Sequence, residues 1–398
     1  MHITANHPEM KVDISNPWHC FLLLQQGFFT LLATIARIFL AIPERKVVVL
    51  YGHQFSGNLK ALYEEWRQSD SKHQLNLFFM SLDPEHISEL KCSGIQALQC
   101  NKLSDMLVIA KSSAIISDHG LHLLSLLVFV TDIVFVDVWH GIPFKGFTPG
   151  DFHLQRRYDE VWVSSPFMKF IYERKFGFRP ERVHALGYAR TDKLFKYPNT
   201  ISSFRQLASI PRETRIVLYA PTWQQDDAGR ELVPFGETTE SFLGRLGEIC
   251  GSNRAVLVIR SHFNTRIREL PLENVMYCPQ HAYFDSEDLL LSTDILICDW
   301  SSIAFDFLVL NRPTLFVDVA PPFRSGFTLG KKYRYGVVVS DLQLLERGLK
   351  TYLDQPEIYL LSQGNLHRKV QEKVYGIYID GHSAYRQLNR LFSILGKN

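Results

Sequence analysis

The feature that most constrains this fold is a repeated alternation, after Pro43, of short apolar runs rich in β-branched residues with segments of helical pattern. This alternation predicts parallel sheets with helices on both faces, because parallel neighbours are joined by long crossovers that are usually helices. The predicted strands of the first half are 47–51, 75–80, 114–117, 133–139 and 160–163. Those of the second half are 216–219, 255–260, 275–277, 294–298 and 314–317.

The alternation fades between residues 195 and 215, which predicts a domain boundary there. A chain of 398 residues also exceeds the size at which one hydrophobic core usually stops growing. We therefore predict an α/β protein with an N-terminal helical region at 1–43 and two doubly wound parallel-sheet domains at 44–205 and 206–398. Ligands of such sheets bind beyond the carboxyl ends of the strands, so two domains facing a cleft would bind a ligand there.

Composition excludes several classes of protein. A hydrophobic fraction of 46% with 21% charged residues is typical of a folded globular chain. The 43 basic and 41 acidic residues leave a net charge of +2, which gives no bulk argument for a nucleic-acid partner. The six cysteines include no CxxC pair, so we expect reduced thiols in a cytosolic protein rather than a zinc site.

Residues 21–42 form an apolar segment that is long enough to cross a bilayer. On a helix, Gln26, Thr30, Ala33 and Arg37 share one narrow face. Large apolar side chains lie opposite: Leu24, Phe28, Leu32, Ile35 and Phe39. We predict an amphipathic helix lying in a membrane interface, with Arg37 reaching toward the headgroups; the alternative is a first helix buried in the domain core.

The segment VFVDVWHGIPFKGF at 134–147 contains the first candidate site. His140 follows a predicted strand and precedes Gly141, and Lys145 follows the turn at Pro143. A histidine in a loop at a strand end can titrate near neutral pH and act as an acid or base. The alternative is a loop histidine with a purely structural role.

Two further segments place polar residues directly after predicted strands. Thr222 in YAPTW can present its hydroxyl to a ligand, or it can simply cap a helix. Arg260 and His262 in RSHF combine a fixed cation with a second histidine. The alternative for Arg260 is a buried ion pair.

The segment DILICDWSSIAF at 294–305 places Asp299, Ser301 and Ser302 between a buried strand and a helical segment. The free N–H groups and the positive dipole end of a helix N-terminus bind anions, and serine hydroxyls add donors, so phosphate is the natural ligand. The alternative is simple capping by Asp299 or one serine. SSAIISDHG at 112–120 also places an aspartate directly after a buried strand, as two similar halves would.

The chain lacks GxxxxGK[ST], HExxH and GxSxG, which removes the simplest support for P-loop, zinc-protease and α/β-hydrolase chemistry. Taken in order, VWHGIPFKGF, LGYARTDKLF, YAPTW, RSHF and DILICDWSSIAFDFLVLNRPTLFV resemble the CDP-glycerol glycerophosphotransferase family of teichoic-acid and capsule synthesis. The resemblance covers about residues 47–317. It implies a GT-B fold of two Rossmann-like domains facing a cleft.

The resemblance also implies the reaction. Polyol phosphate moves from a CDP-polyol, held mainly by the C-terminal domain, to a hydroxyl of a lipid-linked or polymer acceptor, and CMP is released. His140 would be the general base that takes the proton of the attacking hydroxyl, and His262 would bind the donor diphosphate. The substrate-binding residues would be Gly141, Lys145, Thr222, Arg260, Asp299, Ser301 and Ser302. These residues require neither a metal nor a cofactor.

An enzyme that works on a lipid-linked acceptor would gain from attachment to the membrane surface. We expect such attachment through residues 18–42, peripherally and at the cytoplasmic face. One alternative is a GT-B glycosyltransferase that uses a nucleotide sugar. Another is a non-catalytic homologue that binds a polymer precursor or a partner enzyme.

Overall fold

The computed structural model describes residues 15–197, 202–222, 233–261, 269–279, 283, 285–321, 323 and 326–396. The described chain forms two compact units, each built on one parallel sheet. The N-terminal unit contains residues 15–140, 149–192 and 378–396. The C-terminal unit contains residues 141–148 and the described part of 193–377. No disulfide links any of the six cysteines, all of which are described.

The sheet of the N-terminal unit has seven strands in the order β3-β2-β1-β4-β5-β6-β7. The strands are β1 (Lys46–Tyr51), β2 (Leu75–Ser81), β3 (Ala97–Gln99), β4 (Ser112–Ser117), β5 (Val134–Asp137), β6 (Glu160–Val163) and β7 (Val183–Ala185). The helices are α1 (Pro17–Phe39), α2 (Gly57–Gln68), α3 (Pro84–Cys92), α4 (Leu103–Ala110), α5 (Leu127–Val130) and α6 (Pro166–Lys175). The strand order reverses between β1 and β4, which is where doubly wound sheets bind ligands.

The chain passes into the C-terminal unit through α7 (Thr191–Lys196). The second sheet has six strands in the order β10-β9-β8-β11-β12-β13. They are β8 (Arg215–Ala220), β9 (Ala255–Ile259), β10 (Val275–Tyr277), β11 (Ile295–Cys298), β12 (Thr314–Val317) and β13 (Val337–Val339). The helices are α8 (Ser203–Leu207), α9 (Thr239–Ser252), α10 (Ser286–Ser292), α11 (Ile303–Leu308), α12 (Leu342–Asp354) and α13 (Glu357–Tyr375).

Side chains of successive strand residues point to opposite faces, and both faces are covered. Val48 and Leu50 of β1 belong to the core on one side, while Val49 and Tyr51 belong to the core on the other. The last helix, α14 (Ser383–Leu395), returns to the N-terminal unit and buries Leu391 in the first of these cores. Each predicted strand corresponds to an observed one, and the prediction of two parallel-sheet domains is confirmed.

Helix α1 turns its polar stripe toward the N-terminal unit. Gln26 and Thr30 are fully buried. Gln26 Nε2 donates to the Tyr51 hydroxyl at 3.0 Å, and its Oε1 accepts from the Leu123 amide at 3.1 Å. These bonds supply the partners that a buried amide side chain needs. The large apolar residues that the helix leaves exposed are Trp18, Phe21, Leu24, Phe28, Leu31, Ile35, Ile38 and Phe39.

Arg37 lies on the same inward stripe and is bonded within the unit. Its Nε donates to Asp132 Oδ1 at 2.7 Å. Its Nη1 donates to the backbone oxygens of Ala110 at 3.0 Å and Ser112 at 2.8 Å. The prediction that Arg37 reaches toward lipid headgroups is therefore wrong, because its guanidinium is hydrogen-bonded to backbone oxygens at the end of α4 and the start of β4.

Candidate active site

Histidines of the N-terminal unit collect at the carboxyl ends of three neighbouring strands. His53 follows β1, His119 and His122 follow β4, and His140 follows β5. The ring centre of His53 lies 5.0 Å from the ring centre of His119 and 5.1 Å from that of His122. Among the described residues, no group of three or more His, Cys, Asp or Glu side chains could hold a metal ion.

The backbone on both sides of His140 is tightly turned. Trp139 has a φ of 48°, in the left-handed region, and Gly141 has a φ of 154°. The Trp139 amide donates to Asp137 Oδ1 at 3.1 Å. Arg190 Nη1 donates to the backbone oxygen of His140 at 2.6 Å. These contacts fix the loop that carries the histidine.

The hydrogen bond of the His140 ring determines its tautomer. Nδ1 lies 3.1 Å from the backbone oxygen of Asp118, and a carbonyl oxygen can only accept. Nδ1 therefore carries the proton, which leaves the lone pair on Nε2. Loss of hydration around the ring lowers the pKa of His140 below its usual range, and the neighbouring His119 lowers it further. The residue keeps an exposed surface, so a neutral base is accessible there at pH 7.

The residues that follow His140 belong to the C-terminal unit. Phe144 is buried there, with its ring centre 5.5 Å from Trp300 and 5.0 Å from Phe305. The backbone of Lys145 forms a β-bridge with Phe327. The Lys145 ammonium group lies 5.5 Å from the centre of the Phe147 ring. Packing of Phe144 thus ties the segment 141–148 to the Asp-Trp-Ser-Ser motif.

Asp299 joins the loops that follow β8 and β11. Its Oδ1 accepts from the Thr222 amide at 2.7 Å, from the Thr222 hydroxyl and from the Trp300 amide at 2.6 Å. The Thr222 hydroxyl also accepts from the Trp300 amide at 3.1 Å. The structure therefore brings together Thr222 and Asp299, two of the residues that the sequence placed at strand ends. Their hydrogen bonds connect the two loops.

The two serines of the motif lie at the start of the six-residue helix α11. Ser302 is the N-cap residue, but its side chain makes no capping hydrogen bond. Ser302 is exposed and Ser301 is half-buried. Capping by Ser302, one of the alternatives raised from the sequence, is therefore not observed. Its hydroxyl remains positioned to donate to a ligand.

Trp300 has a structural role that the sequence did not reveal. Its ring is buried, and Nε1 donates to the backbone oxygen of Val319 at 2.9 Å. The Arg334 guanidinium lies 4.3 Å from the ring centre and donates to Asp318 Oδ1 at 2.9 Å. Because Trp300 is covered in this way, it supports the motif from behind and is not available to stack on a nucleotide base.

Arg260 is buried at the carboxyl end of β9, next to β8. Its guanidinium donates to the backbone oxygen of Tyr283, to Ser286 Oγ at 3.0 Å and to Cys278 Sγ at 3.8 Å. No carboxylate of a described residue pairs with it, so the buried ion pair raised as an alternative is not found in that part of the chain. The second predicted histidine, His262, lies outside the described residues.

Sequence reasoning missed two of the residues that contact the His140 ring. Asp118 supplies the carbonyl, and His119 stacks on the imidazole with ring centres 4.3 Å apart. The available signal was the aspartate directly after the buried strand in SSAIISDHG. That signal does not reveal that the next strand in the sheet is β5.

Residues 34–392 match the model of the family described as CDP-glycerol:poly(glycerophosphate) glycerophosphotransferase. The chain is similar to the teichoic acid poly(glycerol phosphate) polymerase of Bacillus subtilis (strain 168), with 26% identity over 300 residues. That match covers 69% of this chain but only 39% of the polymerase. The chain is also 27% identical over 296 residues to the teichoic acid glycerol-phosphate primase of the same organism, covering 69% of this chain and 74% of the primase.

The solved structure of the wall teichoic acid polymerase TagF has a similar fold. Its TM-score is 0.74 at 17% identity, and the match covers 96% of each chain. This likeness confirms the predicted GT-B-like α/β fold class. Together with a family match that spans most of the sequence, it leads to one conclusion: the chain belongs to the CDP-glycerol:poly(glycerophosphate) glycerophosphotransferase family.

Proposed function

We propose that the chain transfers glycerol phosphate, or a related polyol phosphate, from a CDP-polyol to a hydroxyl of a lipid-linked or polymer acceptor, in teichoic-acid-like or capsule synthesis. The observation that carries this proposal is the geometry of His140. Its Nδ1 proton is committed to the Asp118 carbonyl, so Nε2 is a base in a chain that belongs to a family of glycerophosphotransferases. The Bacillus subtilis relatives carry names that specify glycerol phosphate.

The proposed step is an in-line displacement at the β-phosphorus of the donor. The acceptor oxygen forms a bond to that phosphorus, and the bond to the bridging oxygen breaks, so that CMP leaves with the electron pair. His140 Nε2 takes the proton of the attacking hydroxyl. A positioned general base contributes roughly 10² to 10⁴-fold to such a rate, and the remaining requirement is stabilisation of the charge that spreads over the phosphoryl oxygens.

The residues proposed for the donor can meet that second requirement. Arg260 is a buried cation without a carboxylate partner among the described residues, so an anionic ligand would compensate its charge. Ser301 and Ser302 would donate to phosphate oxygens or to the polyol, and Lys145 would add a second cation. The role of His262 on the diphosphate remains part of the proposal and rests on the family resemblance.

Thr222 and Asp299 have a different proposed part. Because Asp299 accepts from Thr222 and Trp300, its carboxylate organises the two loops instead of facing a phosphate of like charge. Gly141, with its φ of 154°, permits the turn by which the chain leaves His140. We assign the acceptor to the predicted domain 44–205 and the CDP-polyol to the predicted domain 206–398.

We also propose peripheral attachment to the cytoplasmic face of the membrane through residues 18–42. Within the described residues, α1 is the one helix long and apolar enough to cross a bilayer, by length and composition. Its polar stripe is bonded inside the unit, which favours a helix lying on the surface with its apolar side toward lipid. Exposed Phe129 and Val130 of α5, which packs beside α1, extend that apolar face. The Arg157 guanidinium lies 5.0 Å from the Phe129 ring and would favour anionic lipid.

The test is CMP release from CDP-glycerol and CDP-ribitol by the purified full chain, with a membrane extract as acceptor. His140→Ala is compared with His153→Ala, a control at an exposed histidine of the same unit. Acceptor-dependent CMP release that is lost in His140→Ala and kept in His153→Ala supports the proposal. Turnover of UDP or GDP sugars with neither CDP-polyol used would instead establish a glycosyltransferase. Binding without turnover of any donor would establish a non-catalytic homologue.

A further inference from the structure

The proposed mechanism uses His140 but leaves its neighbour His119 without a role. The two imidazoles are stacked, with ring centres 4.3 Å apart and planes 9° apart. His119 Nδ1 lies 2.8 Å from Asp118 Oδ1. The Asp118 side chain is 7% exposed and that of His119 is 35% exposed. A parallel stack of this kind restricts rotation of both rings.

We propose that Asp118 and His119 are positioning residues for the base His140: the Asp118 carbonyl selects the tautomer, and the His119 ring fixes the plane of the imidazole. This inference rests on the proposed transferase function. It assigns His119 a role through His140 and no direct contact with the substrate.

The first argument is that one residue anchors both rings. The backbone oxygen of Asp118 binds His140 Nδ1 at 3.1 Å, and its carboxylate binds His119 Nδ1 at 2.8 Å. Both rings are therefore attached by the same type of nitrogen to the same residue, which accounts for their nearly parallel planes. A shift of either ring would break a hydrogen bond or the stack.

The second argument is the charge that develops during the step. When His140 takes the proton, a cation forms next to the face of the His119 ring, and Asp118 lies beside both. The Asp118 carboxylate favours that cation, whereas positive charge on the His119 ring disfavours it. The charged and titratable groups that face the pair from neighbouring elements are His53 after β1, Asp137 at the end of β5, and Arg190.

The third argument is the surroundings of His119 on its other side. Its ring contacts His53, whose pKa is lowered to about 3, first by burial and then by His119 and His122. His53 is therefore neutral at pH 7 and adds no positive charge. The Tyr51 hydroxyl, which accepts from Gln26, lies 2.8 Å from His122 Nδ1 and holds that ring in place. Burial lowers the pKa of His122 below its usual value, so this ring is also neutral at pH 7.

The experiment measures kcat and KM for CDP-glycerol as functions of pH, with the full chain and a membrane extract as acceptor. His119→Ala removes the ring, and His119→Phe keeps an aromatic stack but removes the titratable group. His153→Ala is the matched control, and thermal unfolding checks the folding of every variant. For His119→Ala we expect kcat to fall about 10 to 100-fold, as for a misplaced catalytic group, with KM changed less than about twofold.

For His119→Phe we expect kcat within about fivefold of the wild type, because the stack is kept. The acid limb of its kcat/KM profile should move to higher pH, because His119 no longer lowers the pKa of His140. If His119→Phe folds normally but loses as much kcat as His119→Ala, the stacking role is refuted.

A folded His119→Ala variant with unchanged kcat also refutes the inference, while loss of activity in His140→Ala would leave the proposed function standing. Absence of CMP release by the wild type, with either CDP-polyol, would overturn the proposed function and this inference with it.

Discussion

The inward orientation of Arg37 makes a prediction that separates two roles for α1. Replacement by methionine keeps an unbranched apolar stem and removes the guanidinium. If Arg37 serves the fold, Arg37→Met destabilises the N-terminal unit. If it serves lipid binding, the same change weakens attachment to membranes and leaves stability alone.

The magnitude follows from the partners of the guanidinium, whose side chain is 10% exposed. Its bonds to the carbonyls of Ala110 and Ser112 are charge-assisted, and each such bond contributes about 1.5 to 3 kcal/mol. The Asp132 carboxylate is 75% exposed, so that ion pair adds at most about 1 kcal/mol. Part of this free energy is recovered in the variant, because water can solvate the carbonyls of Ala110 and Ser112. We expect a loss of about 2 to 4 kcal/mol in the free energy of unfolding.

The assay is urea unfolding of the full chain, followed through the transition of the N-terminal unit, beside flotation with phosphatidylglycerol vesicles. Lys111→Met is the matched control, because Lys111 is exposed and lies next to the carbonyls that Arg37 binds. We expect that control to change stability by less than about 0.5 kcal/mol. An Arg37→Met variant as stable as the wild type but unable to bind vesicles would refute the inward assignment.

Three further predictions concern the pH dependence, the packing and the surface of the protein. His53 has a pKa lowered from 6.5 to about 3, so the folded state resists a proton that the unfolded chain accepts, and stability is lost as pH falls from 6.5 toward 3. Between pH 7.5 and 5 this histidine should contribute about 1 to 2 kcal/mol to the loss of stability, so the thermal midpoint of a folded His53→Asn variant should fall by that much less than that of the wild type. Phe144→Ala should cost about 3 to 4 kcal/mol in chemical unfolding of the C-terminal unit, because the ring is buried against Trp300; an effect below 1 kcal/mol would contradict that packing. Phe28→Asp should abolish vesicle flotation without lowering the thermal midpoint, and a folded variant that still floats would argue against the lipid-facing side of α1.

The central strands were predictable because they are buried on both faces. Such strands read as continuous apolar runs of β-branched residues, as 47–51 does. The strands β3, β7 and β13, which were not predicted, are three residues long and lie at sheet edges. A run of three residues carries little periodicity, so such a strand is easily missed, although β10, of the same length and also at a sheet edge, was predicted.

The faces of α1 were predictable, but their direction was not. A polar stripe normally faces water, and that assumption led to the wrong role for Arg37. Here Tyr51 and two backbone carbonyls provide interior partners for the stripe, and these partners come from distant parts of the chain. The return of α14 to the N-terminal unit is a similar case, since its amphipathic pattern does not specify which sheet it covers.

The site itself shows the same division between local and non-local information. Asp299 was found because it directly follows β11, and His140 was found because it lies three residues beyond the end of β5; both strands are recognisable from their own residues. The contacts of His140 depend on β4 and β5 being neighbours in register, with Ser117 opposite Asp137. That register places the Asp118 carbonyl within reach of the His140 ring. A slip of one residue would move it by about 3.3 Å, longer than the hydrogen bond itself. The tautomer of the proposed base is thus a consequence of strand pairing, which is why no local motif could predict it.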